Sequence, residues 1–109
     1  ESEMSAGEAL SGVELDVANL QLELLRLGAA RARDGVVAVV TFGELYEDPR
    51  SEQLFEALAG TLRAAKKRKV IAFKGELLLK GVSDKVEIEL LKPPPDGMEP
   101  ATVTIHSNQ

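Results

Sequence analysis

The sequence contains no cysteine. That absence removes thiolate nucleophiles, zinc–thiolate sites and disulfide staples together, and it favours a reducing compartment for so small a chain. Histidine is almost as scarce. His106 stands alone near the C-terminal end, with no base-and-nucleophile arrangement around it. The longest apolar run, Val36 to Val40, is far short of the roughly 20 residues that span a bilayer. No HExxH pair, calcium-binding loop or GKS/GKT phosphate loop occurs, and Gly60, Gly75 and Gly81 do not assemble one. Glu47 and Asp48 read as helix-start acids in a solvated loop, and nothing marks a carboxylate pair for acid–base work. The sequence therefore assigns no catalytic residue, no cofactor site and no metal ligand, and it suggests no membrane partner.

What is present is a chain of 109 residues, 44% hydrophobic and 28% charged. That is one domain's worth of chain with a modest core, too small for a large internal cofactor pocket. No basic-then-apolar leader opens it, so the expected location is cytoplasmic. The first residue is Glu1, which reads as a fragment or a processed product. The net charge of −5 hides an asymmetry. Residues 1–62 carry −8, residues 63–92 carry +5, and residues 93–109 carry −2. Such a dipolar chain steers toward an acidic partner.

Residues 1–12 are small and acidic and read as a flexible arm. Val13, Val17, Leu20, Leu24 and Leu27 then recur at helical spacing and predict a first helix over 13–27. Gly28 sits where a left-handed residue stops a helix. Asp34-Gly35 signals a turn, and the β-branched run 36–40 a strand. Thr41 and Glu44 have capping-box spacing before a short helix at 42–47. Asp48-Pro49 starts another helix, expected to run unbroken to residue 67 with Leu54, Phe55, Leu58, Leu62 and Ala65 buried. Gly60 within it reads as a site of close packing. Strands are expected at 70–73 and 86–90, with 76–79 ambiguous and a turn at 81–84. Phe42, Leu54, Phe55, Leu58, Leu62, Ile71 and Ile88 form the expected core. Three prolines at 93–95 close the domain at residue 92. The tail 93–109 alternates Thr102-Val103-Thr104-Ile105, compatible with a short extra strand. The expected class is α+β and winged helix-turn-helix-like, three helices packed with a small antiparallel sheet.

The strongest local signal is Arg63, Lys66, Lys67, Arg68 and Lys69. A helix C-terminus favours cations, yet four consecutive positive residues repel one another beyond what that dipole needs. Such clusters meet acidic proteins, phosphate or nucleic acid. These five residues form the candidate protein-binding site. Nucleic acid is the weaker alternative, because the cations crowd the helix end, Glu52 and Glu56 sit nearer its start, and the chain as a whole is acidic.

LLRLG at 24–28, VTFGELYED at 40–48, LFEALAGTLRAAKKRKVI at 54–71 and FKGELLLKGVSDKVEIELL at 73–91 together resemble the Costars family. That domain is shared by small free-standing Costars proteins and the C-terminus of actin-binding Rho-activating protein. The similarity covers about two thirds of the chain. It implies a winged-helix-like, non-enzymatic, actin-binding or actin-regulating module with no family catalytic residues, associated with the actin cytoskeleton. Its basic helix end falls on Lys66, Lys67, Arg68 and Lys69. The chain departs from the family at Glu44, where an apolar residue is usual. Ser51 and Ser83 stand where the family often has cysteine and histidine. The arm and the proline-led tail lie outside the resemblance. A protein-interaction module with a non-actin acidic partner is the alternative.

Overall fold

The computed structural model describes residues 12–101. The N-terminal arm, the Thr102–Ile105 alternation and His106 lie outside the described residues. The order is helix α1 (Gly12–Gly28), a 3-10 turn (Ala29–Arg31), strand β1 (Ala38–Thr41), helix α2 (Phe42–Glu47), helix α3 (Pro49–Leu54), helix α4 (Leu58–Lys67), then strands β2 (Ile71–Ala72) and β3 (Glu87–Leu90). The fold is α+β with a small open antiparallel sheet, ordered β1–β3–β2.

α1 buries Val17, Leu20 and Leu24 from its apolar stripe, but also Asn19, Gln21 and Glu23. Polar residues buried between apolar ones mean the helix is covered on several sides, by β1, α4 and β3. Val13, by contrast, is exposed. Gly28 is not the left-handed stop expected of it, since its φ is −129°. A Cβ there would lie 2.2 Å from the Val39 carbonyl oxygen and 2.6 Å from Val40 Cγ2. The glycine lets the helix end press against β1, and that contact is long-range in sequence.

Two local signals match the structure closely. Thr41 accepts from the Glu44 amide while the Glu44 carboxylate accepts from the Thr41 amide, a complete capping box. The Asp48 carboxylate accepts from the Ser51 amide at 2.9 Å, with Pro49 in the first turn of α3. The Asp34-Gly35 turn also forms. Arg33 and Val36 exchange backbone bonds of 3.0 and 2.7 Å, and Gly35 takes a φ of 79°.

The single helix expected over 49–67 is two. Phe55 (φ −109°, ψ 117°) is extended and Ala57 (φ −134°, ψ 74°) is also non-helical, and the two separate α3 from α4. There are thus four α-helices among the described residues, where three were expected. The reason is tertiary. α3 packs on α2 and α4 packs on α1, and the break lets each half meet its own partner while Phe55 enters the core. Phe42, Phe55, Leu62, Ile71 and Ile88 are buried as expected. Leu54 and Leu58 are only half-buried at the rim of that cluster, so truncating Leu58 forfeits less than the ~2–5 kcal/mol of an enclosed leucine. Gly60 is not a close-packing glycine either, because a Cβ there would meet only the Ala57 Cβ at 4.0 Å.

β3 is the central strand. Ile88 and Leu90 face the helices and Glu87 and Glu89 face out, as the alternation requires. Ile88 pairs with Val40 and Leu90 with both Ala38 and Ile71. The expected strand 70–73 contracts to Ile71–Ala72, because Phe73 already leaves toward the long loop to β3. Beyond β3, the buried Gln21 amide donates to the Lys92 and Pro93 carbonyls at 3.0 and 3.2 Å.

Candidate protein-interaction surface

α4 turns Thr61, Leu62 and Ala65 inward and leaves Arg63 and Lys67 in solvent. The helix ends at Lys67. Arg68 caps it in helical conformation and Lys69 turns left-handed, with φ 63°. The Lys69 amide donates to the Lys66 carbonyl at 3.0 Å and the Val70 amide to the Ala65 carbonyl at 3.1 Å. This is the Schellman pattern, with lysine where glycine is usual. Lys69 therefore stands off the helix and does not share its Arg63–Lys66 face by helical spacing.

The five cations have two different environments. Lys66 is half-buried. Its ammonium donates to the Gly75 carbonyl at 2.5 Å and lies 4.2 Å from the centre of the Phe73 ring. It is a tether between α4 and the loop as well as a charge. Arg63, Lys67, Arg68 and Lys69 are exposed. Arg68 makes only a long bond, 3.4 Å, to the Ala64 carbonyl. Among the described residues, none of the five has an acidic partner.

Elsewhere, five cations are committed to carboxylates. Arg26 bridges Glu23 and Asp48 at 2.7 and 2.5 Å, and Arg50 meets Glu23 at 2.9 Å. Arg31 forks onto Glu44 at 2.7 and 2.8 Å. Arg33 joins Glu87 and Glu89, and Lys80 joins Glu47 and Asp84. These pairs set the local acidities. The Arg31 guanidinium, with the Thr41 amide, outweighs partial burial and holds Glu44 at about 2. Burial would raise Asp48, but the Ser51 amide and Arg26 together bring it below its ordinary value. The Gly81 amide and Lys80 lower Asp84. Asp48 is therefore the helix-start acid expected of it, whereas Glu47 is not in a loop but ends α2 and pairs with Lys80.

The sequence left residues 76–79 undecided, and there the structure adds an apolar element. Leu78 is buried and anchors the loop, while Leu77, Leu79 and Val82 are 53%, 49% and 80% exposed. The loop is not loose. The Ser83 hydroxyl accepts from the Leu79 amide at 3.0 Å, and the Asp84 carbonyl accepts from the Gly43 amide at 2.9 Å. Leu77, Arg63 and Phe73 line one notch beside α4. The face therefore joins positive charge to exposed leucine. Its signal in the sequence was the GELLLKGV run, three leucines and a valine in a segment too short to bury them all.

Among the described residues, no group of three or more His, Cys, Asp and Glu could hold a metal ion. No helix there is long and apolar enough to cross a membrane.

The family model described as Costars matches residues 12–91. A Costars family protein of Eutrema halophilum is 58% identical over 81 residues, 74% of this chain and 86% of that protein. The Costars family protein ABRACL of Salmo salar is 54% identical over 80 residues, 73% of this chain and 96% of that protein. The solution structure of human HSPC280 protein superposes with a TM-score of 0.65 at 48% identity, covering 75% of this chain and 94% of that one.

Proposed function

The chain belongs to the Costars family, and we propose that it is a non-enzymatic, cytoplasmic module that binds actin or regulates its dynamics through the basic end of α4. Arg63, Lys67, Arg68 and Lys69 supply the charge, and Lys66 fixes the helix end against the loop. One observation carries the reading. These cations have no acidic partner among the described residues, while Arg26, Arg31, Arg33, Arg50 and Lys80 all do. A chain with excess acid that leaves its densest positive cluster unneutralised keeps that charge available for a partner. Actin as the partner rests on the Costars resemblance. The folded frame also holds the cluster in place, so less freedom is lost on binding than from a loose tail.

The finer architecture belongs to the same proposal. Residues 13–92 form a winged-helix-like unit flanked by the arm and the proline-led tail. The strand order β1–β3–β2 and the helix–strand–helices–strand–loop–strand sequence support it, with loop 73–86 in the place of a wing.

The test is co-sedimentation with filamentous actin at low and at physiological ionic strength, beside a monomer-actin assembly assay. Lys67→Glu and Lys69→Glu should each weaken binding about fivefold or more and make its salt dependence shallower. Arg31→Glu, the same charge change on the exposed 3-10 turn that packs on α1 and β1, should change it little. Circular dichroism checks that all three fold. Equal loss in the three variants would reduce the effect to net charge. No loss in any would remove the helix end from the interface. Duplex DNA at about 0.15 M salt should show no binding, and tight binding there would transfer the cluster to nucleic acid.

A further inference from the structure

A second cationic site adjoins the helix end. A groove of about 560 Å³ crosses the solvent side of the β2–β3 hairpin, lined by Arg33, Ala72, Phe73, Lys74, Lys85, Val86, Glu87 and Glu89. Each arm of the hairpin contributes an apolar residue next to a lysine, Phe73–Lys74 from one and Lys85–Val86 from the other. Glu87 and Glu89 are both held by Arg33 at 3.2 and 2.6 Å, so their charge is partly balanced within the groove, and with Lys74 and Lys85 the lining keeps a net positive charge. Lys74 and Lys85 are exposed and, among the described residues, form no ion pair. What remains open is an apolar floor between two free ammonium groups.

The groove is continuous with the α4 surface through Phe73. That side chain lines the groove, lies under the Lys66 ammonium at 4.2 Å, and also lines the notch with Arg63 and Leu77. We propose that the groove binds an acidic peptide segment with an apolar residue set between its carboxylates, the apolar side chain resting on Phe73 and Val86 and the carboxylates meeting Lys74 and Lys85. The proposal rests on the reading of this face as a protein-interaction surface and names the chemistry of its occupant. Charge fixes the sign of the ligand, because only an anionic group satisfies two free ammoniums. The half-buried apolar floor fixes the second requirement, because a purely polar polyanion would leave the accessible part of Phe73 and Val86 in water. A groove supplied by a rigid hairpin and a tethered helix end also costs little ordering on binding.

Backbone-amide NMR titration tests it, with two short blocked peptides of equal charge as probes. One is glutamate interrupted by leucine, the other glutamate alone. The leucine-containing peptide should move the amides of residues 72–74 and 85–87. The leucine-free peptide should bind at least about fivefold more weakly. Lys74→Glu with Lys85→Glu should lower the affinity about tenfold, and Lys92→Glu should not. Shifts confined to residues 63–69 would overturn the groove and leave the helix end standing. Shifts in the groove with none at 63–69 would keep the groove and overturn the helix-end reading. Equal affinity of the two peptides would remove the apolar subsite, and no shift anywhere would overturn both sites.

Discussion

Charge is spent differently on the two sides of this molecule. Around α1, α2 and α3, arginines join carboxylates across elements far apart in sequence. Glu23, only 2% exposed, meets Arg26 on its own helix and Arg50 on α3, and Arg26 reaches Asp48 at the α2–α3 junction. Around the end of α4 and the β2–β3 hairpin, Arg63, Lys67, Arg68, Lys69, Lys74 and Lys85 project into solvent without an acidic partner among the described residues. The first arrangement fixes how elements dock. The second adds nothing to docking and leaves a positive field outside. Net charge along the chain does not tell the two apart; only the pairing separates a structural charge from an available one.

The comparison breaks most sharply at Glu23. Its carboxylate is buried and accepts from Arg26 at 2.8 Å and from Arg50 at 2.9 Å. The Arg50 guanidinium also donates to the Ala101 carbonyl, so the same side chain helps hold the segment after β3. Glu23→Ala should cost about 3 kcal/mol, because two guanidiniums lose a shared, water-excluded partner. Lys67→Ala should stay within about 0.5 kcal/mol. Urea unfolding of both variants checks the contrast. Equal and small losses would mean that the Glu23 pairs contribute no more than surface ion pairs do.

Much of this was legible in the sequence wherever the determinant is local. The Thr41–Glu44 box, the Asp48-Pro49 start, the Asp34-Gly35 turn and the Ile88/Leu90 alternation depend on residues within a few positions of one another. The break at Phe55–Ala57 was not legible, since no proline or glycine marks it and a helical stripe runs through it. It follows from α3 and α4 needing different partners. Glu23 likewise reads as one polar residue among leucines until Arg50 arrives from another helix. Ser51 shows the same limit in miniature. It is buried with its hydroxyl unpartnered among the described groups, at a position where the family resemblance expects a thiol. For the candidate site, the charge cluster was visible at once. Its neighbours Phe73, Lys74, Leu77 and Lys85 were not, because only the hairpin brings them beside α4.

A second prediction separates stability from availability within one residue. Lys69 sits left-handed at the Schellman position, which costs a residue with a Cβ roughly 1 kcal/mol relative to glycine. Among the described residues, its side chain has no hydrogen bond or ion pair to offset that cost. Lys69→Gly should therefore raise the unfolding free energy by about 1 kcal/mol while weakening binding to filamentous actin about as much as Lys69→Glu does on a per-charge basis. A variant both more stable and a poorer binder is the signature of a residue kept for contact. Loss of stability on going to glycine would give the lysine stem a structural role and sink the idea.

The smallest effect expected lies in the paired region and depends on pH. Glu44 is held at about 2 by Arg31 and the Thr41 amide, against roughly 4.3 in an unfolded chain. A depressed carboxylate stabilises the fold above its unfolded value and loses that contribution as pH falls through the folded one. The window is therefore about pH 4.5 down to about 2. Asp48 and Asp84 are lowered as well, so acid destabilisation of the native chain mixes all three. Glu44→Gln isolates one of them. The amide oxygen can still accept from Thr41, but the charge facing Arg31 is gone. Because both side chains are more than two-fifths exposed, the loss at pH 7 should be no more than about 1 kcal/mol. It should shrink to nothing near pH 2, where the native carboxylate is itself being protonated. Melting temperatures of the two proteins, followed from pH 7 to pH 2, should converge on acidification. Curves that stay parallel would mean that the charge on Glu44 contributes nothing and that its part in the capping box is carried by hydrogen bonding alone.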